Sequence, residues 1–281
     1  MKPVLVAILK GGLGNQLFGY AAARAIARRG GRELLLDDTS GFLRDGYRRR
    51  YRLARFRLRA GIAPDALKLG DPKSPRHRIV RSLDKCLPGP ARHYLRETAA
   101  SSPEGLRAFH SIRRVLYLGG YWQNAGYFDD AADLLRAELT PPEANPALEA
   151  ELAGSPSVFL HIRRHRYSPR LDLDYYHRGI SHFLDRVPDC RFEIFGDDLD
   201  WGRAHLDFRG RPARFHPGGP DDELRDLRLM SRCRHGIVAN SSFSWWAAWL
   251  GPGERRICTP ETPGWPVVPL DRWTKIPNRL E

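Results

Sequence analysis

Short apolar runs that stop at polar or glycine-rich turns recur along this chain, with helical periodicity between them. Residues 4–9 (VLVAIL) form such a run, closed by Lys10-Gly11-Gly12, which predicts a buried strand meeting a tight turn. Over residues 16–29, Leu17, Tyr20, Ala21, Ala25 and Ile26 fall at helical spacing until Gly30-Gly31. Residues 34–36 predict a second strand with Asp37 and Asp38 at its carboxyl end. Strand, helix, strand predicts a parallel βαβ unit. Residues 44–114 are arginine-rich with little periodicity and read as irregular, with short helices. Residues 113–118 predict another strand, followed by Gly119-Gly120-Tyr121-Trp122-Gln123.

A Thr140-Pro141-Pro142-Glu143-Ala144-Asn145-Pro146 segment marks the midpoint. It divides the chain into two predicted α/β lobes, 1–145 and 146–281. In the second, residues 157–162, 192–195 and 236–239 predict strands, and 175–187 and 222–232 predict helices. Open α/β sheets bind ligands beyond the carboxyl ends of their strands. The polar segments that follow these three strands, HIRRHRY, GDDLDW and NSSFSWW, would therefore converge on one rim.

Composition narrows the partners. The 281 residues are 42% hydrophobic and 28% charged, enough for sizeable cores in one large or two smaller domains. The net charge is +13, almost all of it arginine spread widely along the chain; lysine occurs only at positions 2, 10, 68, 73, 85 and 275. A basic surface favours anionic partners such as nucleotide-linked sugars or phospholipid head groups. With no zinc-knuckle spacing, RNP-type aromatic motif or basic zipper, nucleic acid is not an expected partner. The four cysteines lie far apart with no C-x-x-C pair, which predicts a reducing compartment. The apolar run at the start is too short for a signal peptide or membrane anchor. A cytoplasmic protein is expected, with possible peripheral contact to an anionic membrane.

Several motifs carry chemistry. The loop Gly11-Gly12-Leu13-Gly14-Asn15-Gln16 opens a helix, but Leu17 replaces the third glycine of a dinucleotide fingerprint and the Lys-Ser/Thr of a P-loop is missing. It reads as a plain tight turn or as a loop that lets a phosphate or sugar approach the backbone. Arg163, at a strand end, suits a forked pair with a diphosphate. Asp197 and Asp198 directly follow a strand, where a carboxylate can accept the paired N–H donors of a guanine edge or hold a metal. Asp172-Leu173-Asp174 and Asp198-Leu199-Asp200 spell D-x-D, too short a pattern to predict a metal site. At residues 235–250 a strand ends at Asn240-Ser241-Ser242-Phe243-Ser244 and an Ala- and Trp-rich helix begins. That turn reads equally as an N-capped core helix and as an anion cradle at a helix N-terminus.

Together these segments resemble the α-1,2-fucosyltransferases, glycosyltransferase family eleven. The resemblance runs through GGLGNQLFGYAAARAIA, GYWQNAGYF at 120–128, HIRRHRY, DLDYYHRGI, FGDDLDW and LMSRCRHGIVANSSFSWWAAWL. It implies a GT-B-like α/β fold of two Rossmann-like lobes with the active site in the cleft between them. The donor lobe would be C-terminal and the acceptor lobe N-terminal. It also implies inverting, metal-independent transfer of fucose from GDP-fucose, with O-2 of a galactoside on a glycan or lipid-linked precursor as acceptor. Carried over by position, Arg163 would bind the β-phosphate, flanked by His161 and Arg164. Asn15, with Gly14 and Gln16, would face the diphosphate or fucose. Asp197 would read guanine, with Asp198 second. Asn240, Ser241, Ser242, Phe243 and Ser244 would bind the phosphates.

One departure stands out. Where the family reads H-x-R-R-G-D-Y, this chain has His165-Arg166 in place of Gly-Asp. His165 is a candidate replacement base, because histidine titrates near neutrality; Asp172, Asp174 and Asp37 are alternatives. Two other readings remain open from sequence: another GDP-linked deoxysugar or acceptor, and a non-catalytic nucleotide-sugar or nucleic-acid binding protein.

Overall fold

The structure is a computed structural model that describes residues 2–71, 73–165, 170–219, 222–251, 253–262 and 265–278. The chain divides into two units, Met1–Leu139 and Thr140–Glu281.

The first unit contains strands β1 (Val4–Ile8), β2 (Glu33–Asp37), β3 (Gly61–Ile62), β4 (Tyr94–Arg96) and β5 (Val115–Gly119). Its helices are α1 (Leu13–Arg29), α2 (Pro75–Lys85), α3 (Pro103–Ala108) and α4 (Ala132–Leu139). The strands form one parallel sheet in the order β3-β2-β1-β5-β4. Helix α1 is small and apolar nearly all round and is correspondingly buried, from Leu17 and Phe18 to Ala25. It is tied to α4 by Glu138, which accepts hydrogen bonds from the Tyr20 hydroxyl and the Arg24 guanidinium. The predicted irregular stretch 44–114 supplies two strands and two helices. β3 and β4 are the sheet edges and span two and three residues, too short to show alternation. Short edge strands also leave few unpaired backbone groups.

The second unit holds β6 (Ser157–Ile162), β7 (Arg191–Gly196), β8 (Ala213–Phe215), β9 (His235–Ile237), β10 (Ile257–Glu261) and β11 (Thr274–Pro277). Its helices are α5 (Pro146–Gly154), α6 (Leu173–Leu184), α7 (Leu199–His205), α8 (Glu223–Arg232) and α9 (Ser242–Leu250). The parallel order is β11-β10-β9-β6-β7-β8. Numbered from β6, this is 3-2-1-4-5-6, the doubly wound dinucleotide-binding order, with its switch point between β6 and β9. Every residue of β6 is buried, as expected of a central parallel strand covered on both faces. Val158, Leu160 and Ile162 join Tyr175, Ile180, Phe183, Phe192 and Ile194 in the core. Helix α9 packs Trp245, Trp246 and Trp249 inside, and Trp245 Nε1 donates to the Val268 carbonyl at 3.0 Å. All four cysteines are free thiols; Cys190, Cys233 and Cys258 are buried and Cys86 is exposed. No helix among the described residues is long and apolar enough to cross a membrane.

Candidate functional site

In the second unit the switch point brings together the ends of β6 and β9, with the end of β7 alongside. Arg163 leaves β6 and Asp197 leaves β7. Arg163 Nη1 donates to Asp197 Oδ2 at 2.7 Å, and the Arg164 amide donates to Asp197 Oδ1, also at 2.7 Å. The Asp197 carboxylate thus receives one donor on each oxygen, and a carboxylate has about four acceptor positions. Gly196 makes this crossing possible. Its φ is +150°, and a Cβ there would sit 2.3 Å from the Ile162 carbonyl oxygen.

The neighbouring arginine is braced. Arg164 lies 4.0 Å above the Trp201 ring centroid, with Nε 3.6 Å from Asp198 Oδ2. Cation–π stacking and an acid partner fix its orientation. His161, still inside β6, tilts against Phe243 of α9 with centroids 5.6 Å apart, spanning the switch point. Its Nδ1 is buried with no hydrogen-bond partner among the described residues. Burial, and secondarily the Arg163 charge, push its pKa down to about 3, so the ring is neutral near pH 7. His165 follows as an exposed turn residue. Arg166 and Tyr167 lie outside the described residues.

The turn into α9 divides the predicted phosphate-binding residues. Ser241 is the N-cap, its Oγ accepting from the Phe243 amide at 3.2 Å. A hydroxyl that accepts still has a proton to donate. Ser242 and Phe243 are partly exposed in the first turn. Asn240 is buried at the end of the β9 segment. Ser244 differs from the expectation: its side chain is fully buried, and Oγ accepts from the Ala239 amide and lies within bonding distance of the Ala239 and Ser241 carbonyls. Its hydroxyl holds the strand to the helix instead of facing a ligand.

The D-x-D segments also have local causes. Asp172 caps α6 by accepting from the Tyr175 amide at 2.6 Å, and Asp198 caps α7 by accepting from the Trp201 amide at 3.2 Å. Asp174 and Asp200 fall in the first turns, exposed, where the helix dipole favours acids. As a capping residue, Asp172 is a poor candidate base. Asp37 is a worse one: it is buried, and it accepts from the Thr39, Ser40 and Leu69 amides and the Ser40 hydroxyl. Its acceptor capacity is spent inside the fold. Among the described residues no group of three or more His, Cys, Asp or Glu is placed to hold a metal ion.

The first unit has its own switch point, between β1 and β5, where the GGLGNQ loop meets Gly120-Tyr121-Trp122-Gln123. Asn15 Oδ1 accepts from Gln123 Nε2 at 2.7 Å. Gly11 has φ +75°, and a Cβ there would lie 2.7 Å from Asn15 Nδ2. Gly12 precedes α1 with no side-chain cap, which leaves the N-terminal backbone of the helix to the loop and its surroundings. Gly14 is buried in the first turn. Gln16 departs from the prediction of a ligand contact. It is buried, donates to the Gly11 and Arg50 carbonyls at 2.9 Å each, and accepts from the Arg52 amide at 2.9 Å. It is a strut for the loop.

Sequence reasoning missed the partners on this edge. Lys10 Nζ lies 4.1 Å from the Tyr121 ring centroid. Burial lowers the Lys10 pKa, opposed by Glu97 and reinforced by Arg96. Glu97 accepts from the Tyr121 and Trp122 amides at 2.6 and 2.9 Å. The only signal for this group was Gly120-Tyr121-Trp122-Gln123 directly after a predicted strand.

Comparison with known proteins places the chain in a family. An Escherichia coli α-1,2-colitosyltransferase is 28% identical over 98% of this chain and 97% of its own. The O-antigen biosynthesis glycosyltransferase WbnK, also from Escherichia coli, is 29% identical over 89% and 91%. A Bos taurus galactoside 2-alpha-L-fucosyltransferase, SEC1, is 26% identical over 87% of this chain and 63% of its own. The crystal structure of the fucosyltransferase NodZ from Bradyrhizobium superposes with a TM-score of 0.57 at 16% identity, covering 92% of this chain and 95% of that one. It shares the GT-B class of fold, two parallel-sheet α/β lobes. The family model for glycosyl transferase family 11 matches residues 104–262, more than half of the sequence, and includes both switch-point loops of the second unit and Gln123 of the first. The chain belongs to glycosyl transferase family 11 and is a glycosyltransferase.

Proposed function

We propose that this glycosyltransferase moves L-fucose from GDP-fucose to a hydroxyl of a glycan or lipid-linked glycan precursor, O-2 of a galactoside, with inversion and without a metal. Its proposed place is the cytoplasm, at the membrane face. The observation that carries the reading is the Arg163–Asp197 pair at the carboxyl ends of adjacent strands, beside the β6/β9 switch point. In this reading Arg163 meets the diphosphate and Asp197 accepts from the guanine edge. The α9 N-terminus, with Ser242 and Phe243 in its first turn, supplies a second electropositive element without a metal.

In the proposed step the bond between fucose C1 and the GDP β-phosphate oxygen breaks, and the electron pair leaves with GDP. The acceptor oxygen bonds to C1 from the opposite face, and its proton passes to a base. Arg163 stabilises the charge that develops on GDP. Asn15, in the loop of the first unit, is the proposed contact of the donor sugar. His165 is the proposed base, with exposed Asp174 as the alternative, because Asp172 and Asp37 are engaged in capping and core contacts.

A second donor is supported by a specific observation: a relative aligned over 97% of its length is a colitosyltransferase, and colitose is the 3-deoxy counterpart of L-fucose. GDP release from GDP-fucose and GDP-colitose across a panel of galactosides, with and without EDTA, tests both readings. Release from GDP-fucose that survives EDTA supports the first; release from GDP-colitose alone replaces it with the second. Silence with both donors on every galactoside refutes both, and loss in EDTA refutes metal independence.

A further inference from the structure

The charge of this chain is not shared between its two units. Residues 43–114 hold 19 of the 46 lysines and arginines but only 6 of the 33 acids, and the remaining residues carry 27 of each. The whole surplus of +13 therefore lies in the segment between β2 and β5. Exposed apolar side chains concentrate there too. Among the described residues, eight large hydrophobics are exposed, and six of them are Leu43, Tyr47, Ile62, Ile79, Leu83 and Ile112. A strongly cationic segment gains nothing for its own stability by exposing isoleucine and leucine, and contiguous apolar exposure marks an interaction surface.

Helix α2 organises this surface. His77 and Asp84 are buried against the unit, Asp84 accepting from the His93 and Tyr94 amides. The opposite arc carries Arg78, Ile79, Ser82, Leu83 and the capping residue Cys86, all exposed. Ile79 and Leu83, 57% and 54% exposed, are four apart and stand one above the other on that face. Contacts near each end of the helix bring up two further segments with exposed apolar side chains. Asp71, just before the α2 cap Ser74, forms a two-pronged pair with Arg44 at 2.8 Å, which anchors the Leu43–Tyr47 loop at the helix start. Beyond the helix end, the Ile112 amide donates to the Pro90 carbonyl at 3.0 Å, bringing in a side chain that is 73% exposed.

We infer that the outer face of α2, with Leu43 and Ile112 at its ends, docks this enzyme onto an anionic lipid bilayer. Apolar side chains enter the head-group boundary while Arg78 and other basic residues of the segment meet lipid phosphates, the arrangement of an interfacial amphipathic helix. Charge complementarity selects this occupant: a surplus of +13 with only six acids repels a second copy of itself. The exposed aliphatic ridge is of no use to a nucleic-acid groove. The inference stands independently of which sugar is transferred.

Flotation of the full-length protein with vesicles tests it, using pure phosphatidylcholine against phosphatidylcholine with 40% phosphatidylglycerol (about the anionic content needed for a strong surface potential). Binding to the anionic vesicles is expected to be at least about tenfold tighter and to survive moderate salt in part, because apolar insertion is not screened. Ile79→Ser with Leu83→Ser should abolish the salt-resistant part, and Arg78→Glu should weaken the salt-sensitive part. Both sites are solvent-exposed and neither is among the residues gathered at a switch point, so donor turnover with a soluble acceptor should be unchanged. Three results would overturn the inference: equal binding to both vesicle types; binding to a random oligonucleotide at least as tight as to anionic vesicles and unaffected by the serine pair; or a dimer in light scattering that the serine pair dissociates.

Discussion

Arg163 and Asp197 are 34 residues apart and meet at 2.7 Å because β6 and β7 lie side by side in register. The pair aligns both groups before any substrate arrives. Replacing Arg163 by Ala should lower kcat/KM by about 10²- to 10³-fold, the usual effect of losing one preorganised donor to a developing oxyanion. The pair is partly exposed, so the fold should lose at most about 1 kcal/mol. Thermal shift with GDP should disappear in the same variant, and Arg163→Lys should recover only part of the activity, having lost the fork.

Gly196 should not tolerate a side chain. Alanine there would meet the Ile162 carbonyl and adopt an unfavourable φ, costing about 1–3 kcal/mol. A urea titration of Gly196→Ala reads the loss, and displacement of Asp197 should appear as a raised KM for the donor.

The serines of the α9 turn should separate by function. Ser244→Ala removes a buried hydroxyl that accepts from the Ala239 amide and has its one proton within reach of the Ala239 and Ser241 carbonyls, and should destabilise by about 1–2 kcal/mol with little effect on donor KM. Ser242→Ala should leave stability within about 0.5 kcal/mol but weaken donor binding. Denaturation midpoints and KM measured on both variants check the crossing.

Two histidines make the fold acid-sensitive. His161 has its pKa pushed down to about 3 by burial and Arg163, and His235 to about 4 by burial and the arginines at 255, 234 and 256. Unfolded, each would titrate near 6.5. Below that pH the unfolded chain takes up protons that the folded chain refuses, so stability falls as pH drops from about 6.5 towards 4. His161 alone contributes a slope of up to about 1.4 kcal/mol per pH unit. Urea midpoints between pH 7 and 5 should show this, and His161→Phe, which keeps an aromatic against Phe243, should flatten the slope.

Legibility followed burial on two faces. β1, β2, β6 and β7 are mostly apolar runs, broken only by His161 in β6 and Glu193 in β7 between their ends, and their positions could be read directly. β3, β4 and β8 have two or three residues each and take their strand character from pairing with a neighbour. β10 reads ICTPE, with Pro260 inside it, which argues against an interior strand until its neighbours are known. At the site, Arg163 and Asp197 were visible as polar residues after strands, but their bond was not, since it depends on strand order. Gln16, Ser244, Asp37 and Asp172 misled for the opposite reason. Polar residues at strand and helix ends are also what the backbone needs for its own unpaired groups, and only burial tells the two uses apart.

Cys86, at the end of α2, gives the chain a built-in reporter. The other three thiols are buried, with desolvation holding Cys233 and Cys258 up to about 12 and raising Cys190. A maleimide dye should therefore label the native protein once, at a position three residues from Leu83, and no engineered cysteine is needed. Emission from that dye would report polarity at the cationic surface during turnover, and unfolding would announce itself as three further equivalents of label.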